Sequence, residues 1–154
     1  MTENLLTWHI AALMRCSLNS FLMDAPDGEL SGRSVSVREG FLPALRTRDS
    51  AQDFPFCLVR PVSGTINPEQ TNCAVDLIFG CYVKDDMGYQ FAVNLMRHSA
   101  NALLTLENLR LAKRYMLQPH MTWDLDQEQP YPAWYSVLHT SWSFVTPKLI
   151  PTEF

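Results

Sequence analysis

The stretch from Cys73 to Val83, with the sequence CAVDLIFGCYV, alternates between apolar and mixed positions. Side chains two residues apart along a β-strand point to the same face of the sheet. The face that carries Asp76 and Gly80 is mixed. The opposite face is wholly apolar, and its members are Val75, Leu77, Phe79, Cys81 and Val83. This pattern predicts a β-strand with one face buried in a core.

A second apolar stretch, from Phe54 to Val62, precedes this strand and predicts another strand. The residues between the two, Gly64 to Asn72, include Gly, Pro, Asn and Thr, which are typical of a loop. We therefore expect an antiparallel pair of strands joined by a long loop that could reach a neighbouring subunit.

Two helices are predicted. The first runs from about Glu3 to Leu22, with Thr2 as its N-cap. The second runs from about Asp86 to Glu107, and Asn108 is suited to a left-handed stop. Apolar or small residues recur along the second helix at helical spacing, namely Ala92, Leu95, Met96, Ser99, Ala102, Leu103 and Leu106. This stripe is expected to pack on the sheet.

The remainder of the chain predicts two more strands. Arg110 to Leu125 forms one, which Pro119 interrupts or places at an edge. A proline-rich corner from Gln127 to Pro132 leads into the last strand, Trp134 to Val145. The fold class expected is α+β, with an antiparallel or mixed sheet of about four strands and two helices packed on it. A single domain spans residues 1–154.

The segment from Asp24 to Asp53 is rich in turn residues and predicts a long arm outside the core. Its stretch from Ser34 to Arg38 alternates, which indicates a short strand or an extended arm. Long excursions in compact domains are often functional or ordered by a partner. The arm also holds the densest group of basic side chains, and these are our candidates for a subunit interface with acidic neighbours: Arg33, Arg38, Arg46 and Arg48.

The composition and charge of the chain limit the classes of function that it can have. The 154 residues carry a formal charge of −4, and the basic residues form no coherent face of the kind that grips nucleic acid. No apolar run reaches the length of a membrane span, and the first residues lack the basic start of a secretory signal. We expect a reducing cytoplasmic setting in which four cysteines stay free thiols: Cys16, Cys57, Cys73 and Cys81.

Motifs that carry chemistry are sparse. The four histidines lack zinc-site spacing, and neither a nucleophile elbow nor a phosphate-binding glycine loop occurs. The acidic run of Asp124, Asp126 and Glu128 resembles the start of a calcium loop but lacks the required glycine and distal glutamate. It could also supply paired carboxylates for hydrolysis, although a solvated strand face is the preferred interpretation. No catalytic residue, metal or cofactor is therefore expected.

Two stretches are distinctive. DFPFCLVRP at 53–61 is followed by a strand with IFGCY at 78–82, and WDLDQEQPYPAW spans 123–134. Between them lies the helix with Gly88 and Tyr89 near its start and Arg97 within it. Together they resemble a family of phage and prophage tail proteins with a D-Y/F-P-F-x-x-V-R strand, an I-x-G-x-Y strand and a W-x-L-x-x-E-Q-P-Y-P-x-W corner. The resemblance covers residues 53 to 146.

The resemblance implies a structural virion protein of the tail-terminator, or tail-completion, type. Similar proteins cap the finished tail tube as a ring, usually a hexamer, on which the head docks. Implied partners are other copies of the chain, the tail tube protein and a head-completion or connector protein, while DNA passes through the channel without specific binding. Implied locations are the host cytoplasm during assembly and then the head-proximal end of the virion tail. No membrane is involved.

The proline-rich corner has a physical interpretation as architecture. Prolines fix two backbone angles, and large aromatic side chains on either side can bury much area. Its residues are Trp123, Pro130, Tyr131, Pro132 and Trp134. Alternatives to a tail terminator are another head-to-tail joining or tail-tube-associated subunit, a small cytoplasmic hydrolase using Asp124 or Asp126, and a cytoplasmic regulator with a ligand pocket.

Overall fold

The computed structural model describes residues 2–21, 33–42 and 53–148. Within these ranges the chain forms two helices and seven strands. Their order is α1 (Glu3–Ser17), β1 (Ser36–Glu39), β2 (Phe56–Ile66), β3 (Gln70–Tyr82), α2 (Tyr89–Leu104), β4 (Arg110–Leu111), β5 (Tyr115–Leu117), β6 (Thr122–Asp124) and β7 (Ala133–Val145). The predicted α+β class is confirmed.

The strands form one mixed sheet in the order β1-β2-β3-β7-β5-β4, and β6 also pairs with β7. Only β1 and β2 run parallel; the other pairs are antiparallel. The sheet is larger than the expected four strands because the region 110–125 is not one strand. A tight turn with positive φ at Ala112 and Lys113 separates β4 from β5, and Pro119 lies between β5 and β6. The predicted single strand was therefore wrong.

Both helices cover the same face of the sheet, which we call the inner face. Helix α1 packs on β1 and β2, and α2 packs on β3 and β7. Four of the five predicted apolar positions, Val75, Leu77, Phe79 and Cys81, lie in β3 and are buried there, and Val83 is buried directly after its end. Leu95 and Leu103 of α2 are fully buried against them, as the apolar stripe predicted. Each such side chain contributes about 1.5–3 kcal/mol of burial free energy, so this layer is the main core.

The predicted loop from Gly64 to Asn72 was wrong, because both strands continue through it as a hairpin. The turn is confined to residues 67–69, where Asn67 Oδ1 accepts hydrogen bonds from the backbone N–H groups of Glu69 and Gln70 at 2.9 and 2.7 Å. Every residue of β2 from Pro61 to Ile66 is exposed. The polar composition therefore reflects solvent on both sides of a strand and not the absence of one.

The helix ends differ from the predictions by several residues. The Thr2 hydroxyl caps α1, accepting from the Leu5 N–H at 3.2 Å, but the helix ends at Ser17. Helix α2 begins at Tyr89, after a turn in which Asp85 accepts from the Met87 N–H at 2.9 Å. Asn108 does adopt a left-handed conformation, with φ of 54°, but in a short 3₁₀ turn beyond the end of α2.

Part of the predicted arm belongs to the sheet. Residues 36–39 form β1, which pairs in parallel with β2 at Phe56–Val59. The rest of the segment from Asp24 to Asp53, apart from 33–42 and Asp53, lies outside the described residues. No helix in the described ranges is long and apolar enough to cross a membrane.

Candidate functional site

An aromatic cluster on the outer face, opposite the helices, joins the stretches that carry the resemblance. Phe54 and Phe56 come from the first stretch, Tyr82 from β3 and Tyr135 from the start of β7. The Phe54 ring lies 5.8 Å from the ring of Tyr82 and 5.9 Å from that of Tyr135, centroid to centroid. Phe54, Phe56 and Tyr82, from the first two stretches, therefore pack with Tyr135, the residue that directly follows the third stretch.

The proline-rich corner, residues 127–132, is fixed to the sheet by its own side chains. Gln129 binds Tyr135 twice: its Oε1 accepts from the Tyr135 N–H at 2.8 Å, and its Nε2 donates to the Tyr135 carbonyl at 3.3 Å. The Trp134 indole N–H donates to the Val83 carbonyl at 3.0 Å. The Val83 N–H in turn donates to the Pro132 carbonyl at 3.0 Å. These bonds tie the corner to the end of β3.

The corner nevertheless presents much of its surface to solvent. Trp123, expected to bury large area beside the prolines, is 52% exposed, because it lies on the short strand β6 that no helix covers. Tyr131 is 57% exposed between its two prolines. Asp126 and Glu128, which precede Tyr131 in the chain, are also exposed, and within the described ranges their carboxylates have no partner. The corner is thus a rigid acidic projection with an exposed aromatic side chain.

A groove of about 470 Å³ lies near the opposite end of β7. Its basic side chains come from β4 and from the turn between β4 and β5: Arg110, Lys113 and Arg114. Glu69, from the turn of the β2–β3 hairpin, is the single carboxylate in its lining, so the formal charge of the groove is 3 − 1 = +2. Met116, Phe144 and Val145 supply apolar surface.

This groove was not predicted from the sequence. Residues 110–114, RLAKR, hold three basic residues in a short span. One continuous strand was predicted from Arg110, so the tight turn that brings all three basic side chains to the surface was not expected. The predicted arginine group is only partly placed: Arg33 and Arg38 are half-buried at the β1 edge, and Arg46 and Arg48 lie outside the described residues.

His139 forms a second polar feature on the outer face, where it bridges two carboxylates. Its Nδ1 lies 2.8 Å from Asp76 Oδ1 on β3, and its Nε2 lies 2.5 Å from Asp124 Oδ2 on β6. Both ring nitrogens donate only in the imidazolium form. Burial lowers the pKa of His139, but the hydrogen bonds and charges of the two aspartates outweigh it, so that the pKa is raised above its usual value.

This bridge changes the interpretation of the acidic run. Asp124 is not paired with Asp126 but with His139, a residue that the sequence placed mid-strand without a partner. Arg60 is opposite Asp76 in the strand register, yet it turns toward β1, where its Nε donates to the Gly40 carbonyl at 3.1 Å. In the imidazolium form both ring nitrogens of His139 carry protons that are donated to the two aspartates, so the ring cannot accept a proton from a third group.

The side chains suited to metals or thiol chemistry are dispersed. In the ranges that the structure describes, no three or more His, Cys, Asp or Glu residues are arranged to hold a metal ion. All four cysteines are free, as predicted, and Cys16 alone among them is exposed. Burial raises the pKa of Cys81 to about 12 and raises that of Cys57 further, which disfavours a reactive thiolate at either position.

No protein-family model matches the chain, and no curated protein matches its sequence.

Proposed function

We propose that this protein is a structural subunit of a tailed bacteriophage that caps the tail tube as a ring, most simply a hexamer, and forms part of the head-to-tail interface. The proposal starts from the resemblance of residues 53 to 146 to tail-terminator proteins. It is supported by the aromatic cluster, in which residues of that pattern pack on one another although they are far apart in sequence.

The observation that carries the proposal is the exposed outer half of β2, which has no neighbouring strand on its outer side among residues 2–21, 33–42 and 53–148. Strand β1 ends at Glu39, and the last backbone bond between the two is from the Gly40 N–H to the Val59 carbonyl at 2.8 Å. Beyond it, the outer edge of β2 from Pro61 to Ile66 has no strand partner in the described part of the chain. Val62 and Ile66 on this edge are 48% and 73% exposed.

An open strand edge with exposed apolar side chains is a template for pairing with another chain, and monomeric proteins usually protect such edges. Here the edge belongs to the outer strand of the hairpin, where every residue from Pro61 to Ile66 is exposed, which suits contact with a neighbouring subunit or the tube end. Pro61 removes one N–H donor at the start of the edge, so a partner would pair beyond it. A neighbouring subunit on this edge would cover the Val62 and Ile66 side chains, which an isolated domain leaves exposed to water.

The charge of the chain suits a channel for DNA. The formal charge is −4, so a ring of these subunits would carry net negative charge and would not retain the negatively charged DNA that slides through it. Under this proposal the partners are other copies of the chain, the tail tube protein and a head-completion or connector protein. The location is the head-proximal end of the tail.

The test is genetic removal followed by imaging of the phage or prophage that encodes the chain. Without the cap, heads have no docking surface, so lysates should contain separate heads and tails; a plasmid copy should restore joined particles. A reconstruction of the restored particles should place the chain in a closed ring on the tail axis. Normal particles without the chain, or density for it as single copies off the axis, would overturn the proposal.

A further inference from the structure

The basic groove and the acidic corner are complementary surfaces of one chain. Arg110, Lys113 and Arg114 are all exposed at the groove, and none forms an ion pair within the described ranges. At about 470 Å³ the groove falls in the size range, ~300–1,000 Å³, of pockets that take ligands. Its apolar floor and cationic rim match an occupant with an apolar centre and negative flanks.

The corner has that chemistry. Tyr131 is exposed at its tip, and the neighbouring carboxylates of Asp126 and Glu128 are unpaired in the same described region. The corner is also preformed, because Gln129 binds both Asp126 and Tyr135 through backbone groups. A rigid aromatic side chain gives contact area at low entropic cost, and tyrosine and arginine dominate interface binding energy.

We infer that the groove of each subunit takes the proline-rich corner of a neighbouring copy, with Tyr131 on its apolar floor and Asp126 and Glu128 against the basic rim. This inference rests on the proposed function, since it names the contact that would link subunits of the ring. The two surfaces lie near opposite ends of β7, whose 13 residues span about 40 Å. A contact between unlike surfaces is head-to-tail, which is the type that closes rings.

Charge favours this occupant over nucleic acid. The groove is short, has three cations and includes the Glu69 carboxylate, whereas proteins that bind nucleic acid present extended basic surfaces. The net charge of −4 also opposes a polyanion. The acidic corner is small, so it needs only the positive charge of the groove itself. Pairing of the opposite charges then fixes how the two copies are positioned relative to each other.

Disulfide trapping between two variants, each with one introduced exposed cysteine, tests the contact. Both variants carry Cys16→Ser, which removes the exposed native thiol and leaves the three buried ones. Ala112→Cys lies on the turn beside the groove, and Gln127→Cys lies in the corner; both positions are exposed and leave the inferred contacts intact. Mixed at concentrations up to millimolar under mild oxidation, they should form a covalent heterodimer. The matched control replaces Gln127→Cys by Asn101→Cys, exposed on α2.

Charge reversal tests whether the trapped contact is the one inferred. Adding Lys113→Glu and Arg114→Glu to the Ala112→Cys chain should lower the initial rate of heterodimer formation by about tenfold or more, equivalent to about 1.4 kcal/mol. Adding Asp126→Lys and Glu128→Lys to the partner chain should then restore it. Circular dichroism of each variant confirms that it is folded.

The possible results separate this inference from the proposed function. No heterodimer above the Asn101→Cys control, or a rate insensitive to charge reversal, overturns the corner-in-groove contact even if imaging shows a ring. Binding of a DNA duplex that the groove reversal abolishes, without trapping, would assign the groove to nucleic acid and also overturn it. Trapping together with restored rates supports the contact, and it would stand even if the assembly proved not to belong to a tail.

Discussion

Gly88 and Trp134 lie in direct contact at the start of α2, with the indole ring in the space that a side chain on Gly88 would need. A Cβ built on Gly88 would lie 2.6 Å from Trp134 Cδ1 and would also overlap Nε1. The same Nε1 donates to the Val83 carbonyl. The absence of a side chain at Gly88 therefore lets Trp134 join the corner, the end of β3 and α2.

Gly88→Ala should destabilise the protein by about 1–3 kcal/mol, the usual cost of forcing an extra group into a packed site. Urea unfolding followed by tryptophan fluorescence measures the change. The variant Gly88→Ala with Trp134→Leu should lose less than the sum of its two single changes, because the smaller side chain removes the clash. Additive losses would contradict the contact as the cause.

Leu103→Asp should unfold the domain, while Leu104→Asp should not. The two neighbours on α2 differ in burial: Leu103 is fully buried and Leu104 is 48% exposed. A buried unpaired carboxylate adds a desolvation cost to the lost packing, more than about 3 kcal/mol together. Thermal melting of both variants provides the comparison. A cooperative transition near the wild-type midpoint for Leu103→Asp would show that α2 does not pack as described.

The His139 bridge should make stability depend on pH. Its pKa is raised in the folded state, so its stabilisation is fully present below the unfolded value of about 6.5 and is lost as the pH rises through the higher folded value. The free energy of unfolding lost in His139→Gln should therefore be greater at about pH 5.5 than at about pH 9. Because His139 is 38% exposed and Asp124 is 72% exposed, solvent limits the effect to about 1 kcal/mol.

His120→Gln gives the matched control, because His120 is exposed and its replacement leaves the His139 bridge intact. An equal loss at the two pH values for His139→Gln would show that the bridge does not hold the imidazolium.

Thiol labelling should distinguish Cys16 from the other cysteines. In the folded protein one thiol should react rapidly, because Cys16 is exposed while Cys57, Cys73 and Cys81 are buried. The high pKa values of Cys57 and Cys81 further lower their thiolate fraction. Unfolding without a reductant should release all four. Rapid labelling of more than one native thiol, or fewer than four after unfolding, would contradict the structure.

The structural elements that were predicted correctly from the sequence are those whose residue pattern has a single physical cause. Strand β3 was recognisable because its inner face is continuously apolar and buried. The stripe of α2 was recognisable for the same reason, and Thr2 has the hydroxyl that an N-cap needs. By contrast, the outer half of β2, from Pro61 to Ile66, is exposed on both faces, so the polar residues around the turn predicted a loop. Periodicity reports burial, and an exposed strand lacks that information.

The candidate interface was harder to predict because it depends on contacts between distant residues. His139 and Asp76 are separated by 63 positions and meet only through the β3–β7 register. The basic groove needs the β4–β5 turn beside Ser143 on β7 and Glu69 at the hairpin tip. Neither spacing nor composition specifies such registers. The corner was recognisable as a motif, but its exposure was not, because proline and aromatic residues occur both in cores and at interfaces.

The position of β7 has a consequence for synthesis on the ribosome. Strand β7 lies between β3 on one side and β5 and β6 on the other, yet every other described strand precedes it in the chain. Until residues 133–145 emerge from the exit tunnel, β3 has an unsatisfied edge and the sheet cannot close. The nascent chain therefore remains incompletely folded and prone to aggregation, and its cooperative folding is delayed until β7 has left the tunnel. Translation thus sets the moment at which β7 closes the sheet.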